Sequence, residues 1–321
     1  GLIREETNIM KKRWLSLAVA ATAAITVLAG CGSKAAETTA AATEAATTEA
    51  ASSEAAESSA EETKAEAAAE GEIPAPEGDD NKISIGVTPV PHAEIVNDVV
   101  VPKLEAAGWD VEVVEFNDYV QPNTSLEDGE IDANYFQTIR YLEEQNKERG
   151  LHLVEVAGIH LEPMGIYSKN YKSLEELPDG ATIAVPNDGS NESRAIKLLA
   201  DNGLITLAET EDLYNLTSIA ENPHNFEITE LDAANLPRSL DDVDAAVING
   251  NYALDCGLDP QEDGIFFEKD YDDDSYFCLI AVRSEDKDNP IYKRIVEAFQ
   301  SESTKQIFQD VFKGFFVPAW E

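Results

Sequence analysis

The side chains best suited to metal binding or covalent chemistry are few and widely spaced. The chain has 321 residues with four histidines, His92, His152, His160 and His224, and three cysteines. No two histidines have the short spacing of a zinc motif, and no phosphate-binding glycine loop, GxSxG elbow or HExxH sequence occurs. Folding can still bring distant histidines together, but the sequence itself predicts no metal site, no cofactor and no catalytic centre.

One cysteine lies in a recognisable context. Basic residues at 11–13 precede an uncharged stretch from Trp14 to Ala29, and Leu28-Ala29-Gly30 leads into Cys31. The apolar run is shorter than the roughly 20 residues that span a bilayer. The segment resembles the bacterial lipoprotein signal, in which the cysteine is lipidated and becomes the new N-terminus. We therefore predict a signal region over residues 1–31, the alternative being an ordinary secretory signal with an incidental cysteine.

The other two cysteines, Cys256 and Cys278, allow two interpretations. A pair in an exported domain is compatible with a disulfide, because the environment outside the cytoplasm is oxidising. Two separate buried thiols are equally compatible, because free cysteine packs like a small apolar residue. The sequence leaves this choice open.

Residues 32–80 are expected to form a disordered acidic tether. From Ala35 to Asp80 the chain is mostly Ala, Glu, Thr and Ser, with 13 acidic residues, one lysine and a single branched aliphatic residue, Ile73. Such a segment cannot bury enough apolar surface to offset its ordering entropy. As a coil it would reach about 35–40 Å. We expect it to hold a domain formed by residues 81–321 away from a membrane surface.

The charge of the whole chain excludes one class of partner. The formal net charge is −40, whereas nucleic-acid binding needs a basic surface that displaces phosphate counterions. We therefore expect no nucleic-acid partner.

Residues 81–321 alternate between strand and helix patterns. Strands are predicted at 82–87, 110–116, 151–157, 182–185, 245–248 and 276–282. Helices are predicted from His92 to Gly108 with an interruption at Pro102, over 139–149, up to Leu199, after Asn289-Pro290, and around Ile307, Phe308, Val311 and Phe312. This alternation predicts an open α/β architecture with two lobes. Ligands in such folds bind beyond the carboxyl ends of the strands.

Seven short motifs follow one another between Lys82 and Trp320. They are FNDYVQPN at 116–123, GEIDANYFQ at 129–137, EPMGIYS at 162–168, IAVPND at 183–188, NESR at 191–194, LPRSL at 236–240 and AVIN at 246–249. Together they resemble the methionine-binding lipoprotein family, which supplies substrate-binding proteins of ABC importers. The resemblance implies a type II periplasmic-binding-protein fold, with two α/β lobes closing on an amino acid. Lobe 1 would span about 81–166 plus 247–321, and lobe 2 about 167–246.

The same resemblance implies a set of ligand-binding residues. They are Tyr119, Phe136, Thr138, Glu162, Asn191, Arg194 and Asn249. Arg194, near a helix start, is expected to hold a carboxylate through two parallel hydrogen bonds, assisted by the helix N-terminus. Glu162 and the Asn249 oxygen would accept from the ammonium, and Tyr119 and Phe136 would flank the thioether. Taken singly, each residue also fits a structural role, as a surface arginine, a turn asparagine or a core aromatic.

Thr138 departs from the family pattern, because many members have histidine at this position. The change leaves ligand specificity open. Methionine is the first expectation, and another amino acid or a methionine-containing dipeptide is the second.

The resemblance implies a receptor on the extracytoplasmic face of the cell membrane, anchored there by lipid. It would bind L-methionine and deliver it to an ABC permease driven by a separate ATPase, which agrees with the lack of a Walker motif. One alternative is an enzyme on the same scaffold, although the sequence offers no nucleophile or acid–base pair for it. Another is an adhesin in which the cleft has no ligand.

Overall fold

The computed structural model describes residues 73–77, 80–271 and 273–320. The predicted signal region, including Cys31, and most of the predicted tether lie outside the described residues. Within the described ranges, no helix combines the length and apolar character needed to cross a membrane.

The described residues form thirteen strands in three sheets. In chain order the strands are Lys82–Val87 (β1), Asp110–Glu115 (β2), Ala133–Thr138 (β3), Leu153–Leu161 (β4), Gly165–Tyr167 (β5), Thr182–Pro186 (β6), Thr206–Leu207 (β7), Ile219–Glu221 (β8), Glu227–Leu231 (β9), Ala245–Ile248 (β10), Gly264–Phe267 (β11), Phe277–Arg283 (β12) and Val317–Pro318 (β13). The first sheet has the order β13-β4-β12-β3-β1-β2, the second β11-β5-β10-β6-β9, and β7 pairs with β8.

Nine α-helices and six shorter helical turns connect these strands in the described part of the chain. The α-helices are Val101–Ala106 (α1), Gln121–Glu127 (α2), Ile139–Arg149 (α3), Gly189–Asp201 (α4), Leu236–Ser239 (α5), Gly250–Asp255 (α6), Pro260–Asp263 (α7), Pro290–Phe299 (α8) and Glu302–Asp310 (α9). The π-helical turns are Pro89–Ala93 and Val96–Val100, and the 3-10 turns are Leu174–Glu176, Leu216–Ser218, Ala233–Asn235 and Asp274–Tyr276.

The first sheet combines parallel and antiparallel pairs. Strand β1 runs parallel to β2 and β3, whereas β12 runs antiparallel to β3 and β4. Its apolar core includes the fully buried rings of Tyr135, Phe299, Phe308 and Phe316. This core fixes the carboxyl end of β3, which carries Phe136 and Thr138.

The second sheet is separate from the first and has its own core. Strand β6 runs parallel to β9 and β10, and β5 runs antiparallel to β10 and β11. Ile166, Ile183 and Val247 are buried between this sheet and α4 with its neighbours. The chain enters the sheet after β4 and returns to the first sheet before β12, so two crossover segments join the lobes. The sheet extends to Phe267, whereas the predicted second lobe ends at about residue 246.

Several element boundaries agree with local signals in the sequence. The strands at 82–87 and 245–248 and the helix at 139–149 occur as predicted. Helix α3 begins where the Thr138 side chain accepts a hydrogen bond from the Tyr141 N–H, and it ends before Gly150, whose φ is +66°. A hydroxyl at the N-cap and a left-handed glycine after the last turn are strong helix boundaries.

One helix prediction is confirmed and another is wrong in detail. Pro102 lies in the first turn of α1, directly after the π-helical turn Val96–Val100, so the helical pattern changes at the predicted interruption. The last helix ends at Asp310, and Val311 is 44% exposed instead of lying on the buried face. The spacing of the apolar residues alone therefore predicts a helix that is one turn too long.

Residues 73–77 lie inside the predicted tether and are described by the structure. Ile73 packs against the core of the first sheet, and the Trp109 indole N–H donates to the Pro74 carbonyl at 2.8 Å. This short stretch is therefore in contact with the folded domain.

Candidate functional site

A cavity lies between the two sheets, and the empty space within it, including the part open to solvent, is about 320 Å³. Strand β3 reaches it at its carboxyl end, and α4 and α6 begin beside it, directly after β6 and β10. The cavity is lined by Tyr119, Phe136, Gln137, Thr138, Tyr141, Glu162, Asn191, Arg194, Asn249, Asn251 and Cys278.

The structure brings all seven predicted site residues into the lining of this one cavity. They come from separate segments of the first sheet, the first crossover and the helices of the second lobe. That these residues contact a ligand stays a prediction. Their spacing in the sequence gives no reason for them to meet, so it is the fold that brings them together. Lipidation at Cys31 lies outside the described residues.

One wall of the cavity is aromatic. The Tyr119 ring lies 5.8 Å from that of Phe136 and 5.7 Å from that of Tyr141. The Tyr119 hydroxyl donates to Asn251 Oδ1 at 2.5 Å, and the Tyr141 hydroxyl donates to the Tyr119 carbonyl at 2.9 Å. These hydrogen bonds fix the ring planes, so the wall offers a rigid apolar surface to a ligand side chain.

The cavity lining also carries a buried acceptor at Asn249. Its Nδ2 donates to Asn191 Oδ1 at 3.1 Å, and Asn191 Nδ2 donates in turn to Asp188. Asn249 Oδ1 is buried and has no hydrogen-bond partner among the described residues. Leaving such an acceptor unpaired costs about 1–3 kcal/mol. A ligand N–H group would satisfy it.

Arg194 is held by an internal ion pair. Its Nε donates to Glu268 Oε1 at 2.7 Å, and its Nη2 donates to Glu268 Oε2 at 2.6 Å and to the Glu162 carbonyl at 2.7 Å. Burial alone would lower the pKa of Arg194, but the Glu268 carboxylate raises it above its ordinary value. The two parallel hydrogen bonds predicted for a ligand carboxylate therefore go to Glu268, and a ligand must use the Nη1 side.

The N-terminus of α4 is also occupied by side chains of the protein. Asp188 Oδ1 accepts from the Asn191 N–H at 2.9 Å, and Glu144 Oε2 accepts from the Ser190 N–H at 2.8 Å. Glu144 belongs to α3 of the first lobe, so its hydrogen bond joins the two lobes. Burial raises the pKa of Asp188, and burial raises that of Glu144 to about 7. This helix end is therefore not the predicted support for a ligand carboxylate.

Glu162 lies in the first crossover and is paired on both oxygens. Oε1 accepts from the Asn251 N–H at 2.5 Å, and Oε2 lies 3.2 Å from His160 Nε2 and 3.8 Å from His92 Nε2. Burial raises the pKa of Glu162, but the hydrogen bond to His160 and the charge interaction with His92 outweigh it and leave the pKa lowered. Burial lowers the pKa of His92 to about 3. Glu162 is therefore an anion beside the cavity.

Sequence reasoning missed four lining residues, Gln137, Tyr141, Asn251 and Cys278, and the ion-pair partner Glu268. Tyr141 and Asn251 each follow a predicted site residue by two or three positions at a helix start, which is a usable signal. Glu268 lies 74 residues from Arg194, and nothing in the sequence links them. Cys256 and Cys278 are both free thiols, the first exposed and the second buried.

Two α/β lobes joined by two crossovers, with a polar and aromatic cavity between them, define a substrate-binding protein of the two-lobed class. The chain belongs to the NlpA lipoprotein family, which matches residues 83–320. The predicted family resemblance and fold class are confirmed.

Named relatives cover most of the described chain. The D-methionine-binding lipoprotein MetQ of Salmonella typhi is 44% identical over 247 residues, 76% of this chain and 90% of that protein. MetQ of Escherichia coli (strain K12) is 42% identical over the same shares. The solved structure of a nutrient binding protein from Burkholderia cenocepacia bound to methionine is 47% identical, with a TM-score of 0.70, covering 74% of this chain and 100% of that chain.

Proposed function

We propose that this chain is a lipid-anchored receptor that binds methionine outside the cytoplasm and delivers it to an ABC permease with its separate ATPase. The family is one of substrate-binding transport proteins, and the relatives' names refer to methionine. The alternative of an enzyme gains no further support. Glu162 is buried and accepts a hydrogen bond from the Asn251 N–H. Cys278 is also buried, and burial raises the pKa of its thiol, which disfavours the nucleophilic thiolate.

One observation carries this proposal. Asn249, whose Oδ1 is an unpaired buried acceptor, lines the same cavity as the aromatic residues Tyr119 and Phe136. A free amino acid has an ammonium group that must be matched when it leaves water, and a thioether packs favourably on aromatic rings. Asn191 accepts from the Asn249 Nδ2, which leaves the Asn249 Oδ1 free to accept from an ammonium donor. The carboxylate would be contacted through the Nη1 side of Arg194.

Calorimetry on protein that has been unfolded and refolded, to remove carried-over ligand, tests the proposal. We expect methionine to bind, with the L and D forms compared directly because the curated relatives are named for D-methionine. Asn249→Ala should weaken binding at least tenfold, about the value of one lost charged hydrogen bond. Asn170→Ala, at an exposed position, serves as control. Equal binding by both variants would falsify the role of Asn249.

The anchor has its own experiment. Cys31→Ser should release the protein from membranes, whereas Cys256→Ser, which changes an exposed thiol of the folded domain, should not. Membrane association that survives Cys31→Ser contradicts lipidation without affecting the ligand assignment.

A further inference from the structure

Four buried donor groups converge beside the cavity, from segments far apart in the sequence. They are His92, in the helical turn after β1, His160 on β4, Glu162 in the first crossover and Cys278 on β12. One donor atom of each lies within 4.8 Å of the others. This cluster is not explained by the proposed methionine site, because both histidines lie outside the cavity lining.

Three of these groups have a hydrogen-bond partner on the atom that is not directed at the cluster. Thr88 Oγ1 lies 2.8 Å from His92 Nδ1, and the Tyr135 hydroxyl lies 2.7 Å from His160 Nδ1. Glu162 Oε1 accepts from the Asn251 N–H. The remaining atoms, both Nε2 and Oε2, lie close together, with Oε2 3.2 Å from His160 Nε2, to which it is hydrogen-bonded, and 3.8 Å from His92 Nε2. Hydrogen bonds on the outer side of ligating groups are the usual means by which proteins orient metal ligands.

One of the inward atoms has no partner. His92 is fully buried, and its Nε2 makes no hydrogen bond within the described chain. Its nearest acceptor, Glu162 Oε2, is 3.8 Å away, too far for a hydrogen bond. A buried polar atom that is left unpaired calls for a partner outside the protein chain, such as a water molecule or an ion.

We propose that His92, His160, Glu162 and Cys278 bind one divalent transition-metal ion, with zinc(II) as the best match. Two imidazoles, a carboxylate and a thiolate form the mixed nitrogen, oxygen and sulfur donor set that zinc accepts in tetrahedral geometry, whereas magnesium and calcium require oxygen ligands.

The charges and protons balance on binding. The Cys278 thiol releases its proton to the solvent as the metal–sulfur bond forms, and the thiolate with the Glu162 carboxylate neutralises the two positive charges of the ion. Since Glu162 and Cys278 line the cavity, the open cleft provides the entry path.

Cobalt(II) and zinc(II) are the probes for the experiment. Chelator-treated full-length protein should bind one equivalent of cobalt(II) and develop a thiolate-to-cobalt charge-transfer band, which zinc(II) then removes by displacement. Calorimetry in buffers of different ionisation enthalpy should show release of about one proton per ion. Absence of the band with the wild-type protein overturns the proposal.

Variants separate this site from adventitious binding. Cys278→Ser should abolish the band, and Thr88→Val, which keeps all four ligands, should weaken binding about 10–100-fold. Cys256→Ser and the double variant His152→Gln/His224→Gln, at exposed positions, should bind as the wild type does. A band that persists in Cys278→Ser contradicts the assignment. Methionine binding measured in parallel separates failure of the metal site from failure of the receptor function.

Discussion

Arg194 of the second lobe and Glu268 of the second crossover form a bidentate ion pair that is almost fully shielded from water. The Nε–Oε1 and Nη2–Oε2 distances are 2.7 and 2.6 Å, and the two side chains are 7% and 8% exposed. Glu268 Oε2 also accepts from the Met164 N–H in the first crossover. The pair therefore joins helix α4 to both segments that connect the lobes.

Removal of the Glu268 charge should destabilise the protein strongly. Glu268→Gln leaves a buried guanidinium without its counter-charge, and we expect the free energy of unfolding to fall by about 3 kcal/mol. The measurement is urea unfolding beside Glu297→Gln, which breaks the exposed pair of Glu297 with Arg294 and should cost less than about 1 kcal/mol. Equal losses in the two variants would contradict a stabilising role for the buried pair.

Thr138 has two roles that substitutions can separate. Its hydroxyl accepts from the Tyr141 N–H at the start of α3, and the residue also lines the cavity. Thr138→Val keeps the shape but loses the cap, so stability should fall by about 1 kcal/mol, whereas Thr138→Ser should retain it.

The cavity role of Thr138 is tested by Thr138→His, with Thr138→Val as the control for cap loss. An imidazole at this position fills space beside Phe136. We expect binding of a methionine-containing dipeptide to fall at least about tenfold more than binding of methionine, as measured by calorimetry. A uniform loss for both ligands would mean that residue 138 does not select by size.

Glu144 should make stability depend on pH. Burial raises its pKa from the ordinary value of 4.5 to about 7, so the folded state holds the proton more tightly than the unfolded state. Its contribution is favourable below about pH 4.5 and is lost as the pH rises towards 7. Glutamine does not ionise, so Glu144→Gln keeps its stability as the pH rises. Above pH 7 the variant should be more stable than the wild type, by on the order of 1 kcal/mol after solvent screening.

The difference between variant and wild type isolates Glu144 from other titrating groups. Urea unfolding below pH 4.5 and above pH 7 gives this difference, and Glu143→Gln, on the exposed side of the same helix, is the matched control. A wild type that is more stable than Glu144→Gln at high pH would show that the charged hydrogen bond to Ser190 outweighs the cost of burial.

The short stretch at 73–77 should stabilise the domain. Its contacts are the packing of Ile73 on the first core and the hydrogen bond from Trp109 to Pro74. Removal of residues 1–77 should therefore lower the free energy of unfolding by about 1–2 kcal/mol relative to removal of residues 1–72. Thermal unfolding of the two shortened chains measures this, and identical midpoints would show that the contacts contribute nothing.

Local signals in the sequence were sufficient for many elements and insufficient for the chemistry between them. The N-cap at Thr138 and the glycine at 150 define α3 from within a few residues. The two parallel hydrogen bonds of Arg194 were predicted for a ligand carboxylate but go to Glu268. Glu268 comes from a distant segment that no local pattern connects to Arg194. His92 and His160 have no metal-ligand spacing in the sequence, and only the fold places the helical turn after β1 and strand β4 so that both rings join one buried cluster.

The two crossovers are also bonded to each other, since the Glu268 N–H donates to the Met164 carbonyl at 3.0 Å while the Met164 N–H donates to the Glu268 side chain. We expect the lobes to rotate about these bonded crossovers, and atoms move under a rotation in proportion to their distance from its axis. Arg194, anchored at the axis, would keep its surroundings when the lobes separate. Hydrogen bonds that join the lobes without involving the crossovers, such as that from the Ser190 N–H to Glu144, would be the ones that break.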